Sequence, residues 1–218
     1  FDAATYDAQD YADLSTAITA ISSTNSTLEI KSTVNVGTTT IIPSNVKLRF
    51  YKGGNFTKTG SNPSGAILTI NGTIDAQPEQ IFIGFSRNDV SISDAYIGEI
   101  YPQYWGFDES ASAATNEVAF ESAVSSGAKK IAIPAGSYNC NSLLVSHQVT
   151  IEGIHYRSVI LNFASGITSN VIIDGAPNVT LKNLEIQTGG DNSIGVSIYG
   201  TSTGYSLDGI YVQHPVTA

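Results

Sequence analysis

Three charged residues, Glu152, Lys182 and Asp208, lie 30 and 26 positions apart, a spacing set by repeating sequence rather than by chance. The stretch HQVTIEG (147–153) matches PNVTLKN (177–183), and NVTLKNLEIQ (178–187) matches GYSLDGIYVQ (204–213). In these repeats Val149, Ile151, Val179, Leu181 and Leu207 occupy inward positions of strands, so alternation turns Glu152, Lys182 and Asp208 outward. Stacked strands about 4.8 Å apart would give a negative, positive, negative column with its two carboxylates about 9–10 Å from each other. That separation is near the upper limit for an inverting glycosidase pair, which must leave room for a water. Lys182 between them favours the ionised form of both, whereas a general acid has to hold a proton. The column therefore reads first as a cross-strand ion-pair ladder, contributing about 0.2–1 kcal/mol per pair. A saccharide groove is the functional alternative, with Tyr211, stacked over Glu185 beside that face, as a sugar platform. No catalytic residue is assigned.

Other chemistries find less to work with. His147, His155 and His214 share no metal-ligand spacing, and the acidic pattern of a calcium loop is missing around Asp174-Gly175 and Gly190-Asp191-Asn192. Ser146 and His147 are adjacent but lie outside any nucleophile-elbow motif, and no glycine pattern cradles phosphate. No metal or other cofactor is implied. Net charge is −9, and the ten basic residues are scattered, with only Lys129-Lys130 adjacent. Nucleic acid is excluded as a partner on that ground, because phosphate contacts need clustered cations. No apolar run reaches the roughly 18 residues of a membrane helix. The single Cys140 excludes an intrachain disulfide. Methionine is absent even at position 1, which points to a processed product or a piece of a longer chain.

The elements that would position such a surface are short strands. Apolar residues make up 41% and charged residues only 13%, so polarity comes from Ser, Thr, Asn and Gly, the residues of strands and turns. Residues 10–22 place Leu14, Ala17, Ile18 and Ile21 on one helical stripe. From Leu28 the period becomes two and continues, broken by turns, to about Ile100. A turn-rich segment carrying the lone Trp105 leads to a second helix, with a cap expected at Thr115 or Asn116 and with Ala119, Phe120, Ala123 and Val124 inward. The whole arrangement repeats 103 positions on: Ile30 falls on Ile133, Ile42 on Val145 and Leu48 on Ile151. Helix, then stacked strands, twice, predicts an all-β solenoid whose coils hide their apolar faces only against one another. Asn183 is read as a corner asparagine of one coil, with Gly209 in its place on the next. The domain reading is a helix-capped β module over 1–100, then the start of a parallel β-helix over 101–218, its last coil interrupted at Val216-Thr217-Ala218.

Tyr104-Trp105-Gly106, the following helix and KKIAIPAGSY (129–138) resemble the opening segment of pectate-lyase-like right-handed parallel β-helix proteins. TLEIKSTVNV, IPSNVKLRFYKGG and LTINGTIDA in the first module resemble it too, and the doubled arrangement is most similar to the N-terminal part of a phage tailspike or depolymerase. Where that family carries a Gly-Asp-Gly turn, this chain has Phe107-Asp108-Glu109. The resemblance implies a right-handed β-helix with short capping helices, a homotrimer, host surface polysaccharide as ligand, other tail proteins as neighbours, and a virion-tail or extracellular location. It places catalytic carboxylates in coils beyond Ala218. The alternatives are a secreted bacterial polysaccharide lyase or hydrolase, and a non-catalytic β-helical shaft or adhesin.

Overall fold

The computed structural model describes residues 4–61, 67–93, 98–190 and 192–214; Asp191 and the Val216-Thr217-Ala218 end lie outside them. The described chain is mostly β, and every strand pairing in it is parallel. Parallel neighbours need a long connection between them. Here that connection is mostly two further short strands, so a strand generally bonds the one three places along the chain.

This rule sorts the strands onto three faces. In the first half the first face holds Ala4–Asp7, Ser26–Ile30, Val46–Phe50 and Thr73–Asp75. The second holds Thr33–Val36, Asn55–Lys58 and Phe82–Ile83, and the third Thr40–Ile42, Leu68–Ile70 and Val90–Ile92. The second half repeats the plan. Its first face is Lys130–Ile133, Thr150–Gly153, Thr180–Lys182 and Ser206–Asp208. Its second is Gly136–Cys140, Val159–Phe163, Glu185–Gln187 and Tyr211–Gln213, and its third Leu143–Val145, Ser169–Asp174 and Ile194–Tyr199. One strand from each face makes a tier. The 103-residue repeat maps face onto face: Ile30 and Ile133 both end first-face strands, and Ile42 and Val145 both end third-face strands.

Alternation supplies the core. Inward columns such as Leu28–Leu48 and Ile151–Leu181 are fully buried. Helix α1 (Leu14–Ile21) covers the start of the stack, held by Asp13, whose carboxylate accepts from Thr16 N at 2.8 Å. Leu14, Ala17 and Ile21 of its stripe are buried, and Ile18 packs partly buried against the core.

The two halves are joined by a tier built differently. Ile100 pairs with Ile131 on the first face. A 3-10 turn, Pro102–Trp105, then takes the second-face position, where Tyr104 O accepts from Ile81 N at 3.1 Å. Helix α2 (Ala113–Ser125) takes the third, and Ser126 O just past its end accepts from Ile92 N at 2.7 Å. Phe82 fills the space beneath, its ring centroid 4.8 Å from that of Trp105 and 6.2 Å from that of Tyr104. The helix cap is Ser112, not Thr115 or Asn116: Ser112 has extended backbone, and its hydroxyl accepts from Thr115 N at 3.1 Å. Asn116 sits one turn inside and fully buried. Its amide accepts from Asp108 N and donates to Asp108 O and Asn139 O, so it ties the turn to the next tier.

Corners repeat as well. Asn183 (φ 56°) lies below Gly209 (φ 63°), and Asn178 (φ 51°) below Gly204 (φ 68°), all left-handed. The left-handed region costs an ordinary side chain about 1–2 kcal/mol, which asparagine and glycine largely avoid. Replacing Asn183 by Gly should leave stability within about 0.5 kcal/mol, and Asn183→Ala should cost about 1–2 kcal/mol, both read by urea unfolding. Phe82→Ala at the junction should cost about 3–5 kcal/mol in the same assay. Burial pushes the Cys140 thiol up to about 12, so a thiol reagent should label it only after unfolding.

Candidate functional site

Register places the expected column together: Glu152 opposite Lys182 and Lys182 opposite Asp208. Lys182 Nζ stands 3.8 Å from Glu152 Oε1 and 4.0 Å from Asp208 Oδ2. The column is longer than the repeats indicate. Lys130 Nζ lies 3.5 Å from Glu152 Oε2 and 3.1 Å from Glu99 Oε2, so charges alternate through five residues. The first half carries its own version on the same face. Register sets Asp7, Glu29, Arg49 and Asp75 in a row, and Lys31 bridges Asp7 and Glu29 at 2.8 Å each. Lys47 reaches Asp75 at 2.7 Å, and Arg49 Nε reaches it at 3.2 Å.

These partners fix protonation in one direction. Hydrogen bonding from Lys31 holds Asp7 below the ordinary carboxylate range, with Lys31 and Tyr51 doing the same for Glu29. Lys47 and then Arg49 lower Asp75, while Tyr101 and then Lys130 lower Glu99. Carboxylates so held favour the charged form, the opposite of what a proton donor to a leaving group needs. The first face is a ladder of matched charges.

Tyr211 belongs to the second face, with Glu185 as its register partner. The Arg157 guanidinium lies over the Tyr211 ring, 4.2 Å from its centroid, and its Nε is 3.4 Å from Glu185 Oε2. One side of the ring is therefore already covered by a cation. Glu185 occupies an outward position, yet its side chain is only 7% exposed, because the turn carrying Arg157 folds over it. Gln187 Nε2 donates to Glu185 Oε1 at 2.9 Å.

Gln187 leads to a feature that sequence reading missed. Asn139, Asn162, Gln187 and Gln213 are register partners in one outward row of the second face. Beside the row is a depression of about 220 Å³ lined by Asn162, Phe163, Gln187, Thr188, Gly189 and Gln213. Thr188 Oγ1 lies 2.6 Å from His214 Nδ1 at its edge. The matched glutamines of the 26-residue repeat carried the signal, which marked strand register and went unread as a surface.

Comparison of the sequence and fold with protein-family models, curated proteins and solved structures finds no match. The function has to be argued from this chain's own surfaces.

The remaining candidates resolve into structure. Ser146 Oγ lies 3.0 Å from His147 Nδ1, but no carboxylate among the described residues orients that ring. The nearby Glu121 is engaged by Leu144 N at 3.1 Å and by the Arg87 guanidinium. Among the described residues no three His, Cys, Asp or Glu side chains converge to hold a metal, and no helix is long and apolar enough to cross a membrane. Asp108, in the turn where the resembling family carries Gly-Asp-Gly, accepts from Ser110 N at 2.9 Å and so closes the turn. Glu109 Oε1 accepts from Ser137 N at 2.8 Å.

Lys182→Ala should cost under about 1 kcal/mol in thermal unfolding at low salt, since both its partners are solvent-facing. For Asp7, Glu29, Asp75 and Glu99 the folded state depresses the pKa. Their contribution is therefore present above the ordinary carboxylate range and lost as pH falls through the folded values. The melting temperature should drop progressively below about pH 4, and less steeply in 1 M salt, where the ladders are screened.

Proposed function

We propose that this chain is a right-handed parallel β-helix that engages cell-surface polysaccharide, in the manner of the N-terminal part of a phage tailspike. The observation that carries the reading is the tier-on-tier stacking of parallel strands, with an outward row that crosses all four second-face strands of the second half. Such rows offer a long polymer the same kind of contact at each step of about 4.8 Å. The second-face row is built of side-chain amides, groups that exchange hydrogen bonds with sugar hydroxyls without a charge penalty. Stacked sheets with short turns also suit side-by-side packing of three copies, and a homotrimer at a virion tail or outside the cell belongs to the same proposal. The step from fold to function is analogy, and the surface chemistry is what supports it beyond analogy.

The ion ladder favours binding over cleavage within this segment. Lys182 stands between Glu152 and Asp208, within 4.0 Å of both, in the space an inverting pair would leave for its water. Cleavage, in this proposal, is the work of coils beyond residue 218. A secreted lyase or hydrolase acting as a monomer, and a shaft that touches no sugar, are the rival readings.

The deciding experiment is retention of capsule and lipopolysaccharide preparations on the immobilised chain, with light scattering for its mass in solution. Retention of a polysaccharide by a trimer is the expected result. A monomer that shortens the polymer would turn the reading toward a secreted enzyme, and a chain that retains none of the preparations would remove polysaccharide from its function.

A further inference from the structure

The polar row on the second face narrows the ligand beyond "polysaccharide". Asn162 Nδ2 donates to Ser137 Oγ at 2.7 Å and Gln187 Nε2 to Glu185 Oε1 at 2.9 Å, which leaves the carbonyl oxygen of each of these two lining amides without a donor among the described residues. Gln213, the next member of the row, makes no side-chain hydrogen bond within the described residues, and so presents both donor and acceptor. The side wall is Thr188, fixed by His214. The floor is Phe163, 5% exposed, beside Gly189. A Cβ on Gly189 would stand 2.1 Å from Ala164 O, so the two corners meet only because this position is glycine, and the hollow beside them follows from that approach.

Charge decides what fits. None of the six lining side chains is ionised. On the second face Arg157 is already seated on the Tyr211 ring and beside Glu185, and His214 Nδ1 at the edge is engaged by Thr188 Oγ1. Glu185, the register partner of Tyr211, is almost wholly buried beneath Arg157. An acidic sugar would enter a site whose lining carries no Lys or Arg to receive it, and would lose its hydration for little return. A neutral sugar meets an amide row whose donor and acceptor groups match adjacent hydroxyls, over a partly apolar floor. The volume, about 220 Å³, holds a single pyranose ring.

We propose that Asn162, Gln187 and Gln213 form a subsite for an uncharged pyranose unit, a hexose or N-acetylhexosamine, of a glycan running across the strands along the stack. The proposal rests on the polysaccharide reading above and adds the sugar class and the place.

The test is titration of the whole chain with neutral oligosaccharides from galactan, mannan and β-glucan, and with acidic ones from polygalacturonate and alginate. Affinity is read by calorimetry, and the side-chain amide signals of Gln187 and Gln213 by NMR. The expected result is binding of at least one neutral series, with those amide signals moving and little dependence on salt. Gln213→Ala and Gln187→Ala should each weaken it about ten-fold, the scale of one or two lost hydrogen bonds, and Lys182→Ala on the first face should not. Melting temperatures of the variants separate lost contacts from lost fold, and Gln213→Ala, at an exposed position, keeps the test open should Gln187→Ala disturb Glu185. Binding that survives both substitutions, or that is confined to the acidic series, overturns the subsite while leaving the polysaccharide reading in place. A wild-type chain that binds none of the five series and retains no capsule or lipopolysaccharide preparation overturns both.

Discussion

Parallel pairing between tiers is the constraint from which the rest follows. No tier can bury its apolar residues alone: Leu181 is hidden because Ile151 lies on one side of it and Leu207 on the other. Leu207 and Val212, in the final tier, occupy inward columns yet are 44% and 42% exposed, because no further tier covers them among the described residues. The start of the stack is treated differently, with α1 laid over it so that Leu14, Ala17 and Ile21 seal the core. Stability in such an array is a sum over neighbours, and its ends decide whether the sum is favourable.

The same constraint shapes the junction. A stack interrupted by a helix would ordinarily lose its ladder, yet Ile100 keeps one bridge to Ile131 while α2 and the Pro102–Trp105 turn stand in for the two missing strands. Their hydrogen bonds are made to the tiers on both sides: Ile81 and Ile92 donate upward into the inserted tier, and Asn116 donates onward to Asn139 O. The aromatic cluster of Phe82, Tyr104 and Trp105 fills the wider cross-section that a helix imposes.

Much of this was legible in sequence, and the reason is the fixed inward–outward alternation of strands. Matching Leu181 to Leu207 and Ile151 to Leu181 by repeat gives the observed register, and the Glu152–Lys182–Asp208 column follows directly. What escaped has a physical cause in each case. Glu99 and Lys130 join the ladder only because a bridge spans a helix and a turn, and no period crosses those. Asn116 reads as a cap because asparagine caps helices, whereas burial against Asp108 and Asn139 gives it a better set of partners one turn in. Glu185 and Tyr211 were placed on neighbouring strands correctly, but the left-handed Arg157 that covers them belongs to a loop, where alternation carries no information. The amide row shows in the sequence only as matched glutamines, and a repeat period marks strand register without saying what the outward groups bind.

The two outward faces solve different problems. A stack of parallel strands whose tiers are all alike can slip by a whole tier without exposing its apolar columns, so burial by itself does not specify register. On the first face the order Glu99, Lys130, Glu152, Lys182, Asp208 alternates in sign, and a slip of one tier would set like charges against each other. In the first half the row runs Asp7, Glu29, Arg49, Asp75; its two adjacent carboxylates, Asp7 and Glu29, are bridged by Lys31, and Arg49 stands between Glu29 and Asp75. The second face of the second half carries no such alternation; its row is neutral, and its one buried carboxylate is closed off by Arg157. With register held on one face, the other is free to present a uniform line of hydrogen-bonding groups, which is the property a repeating, uncharged polymer can use.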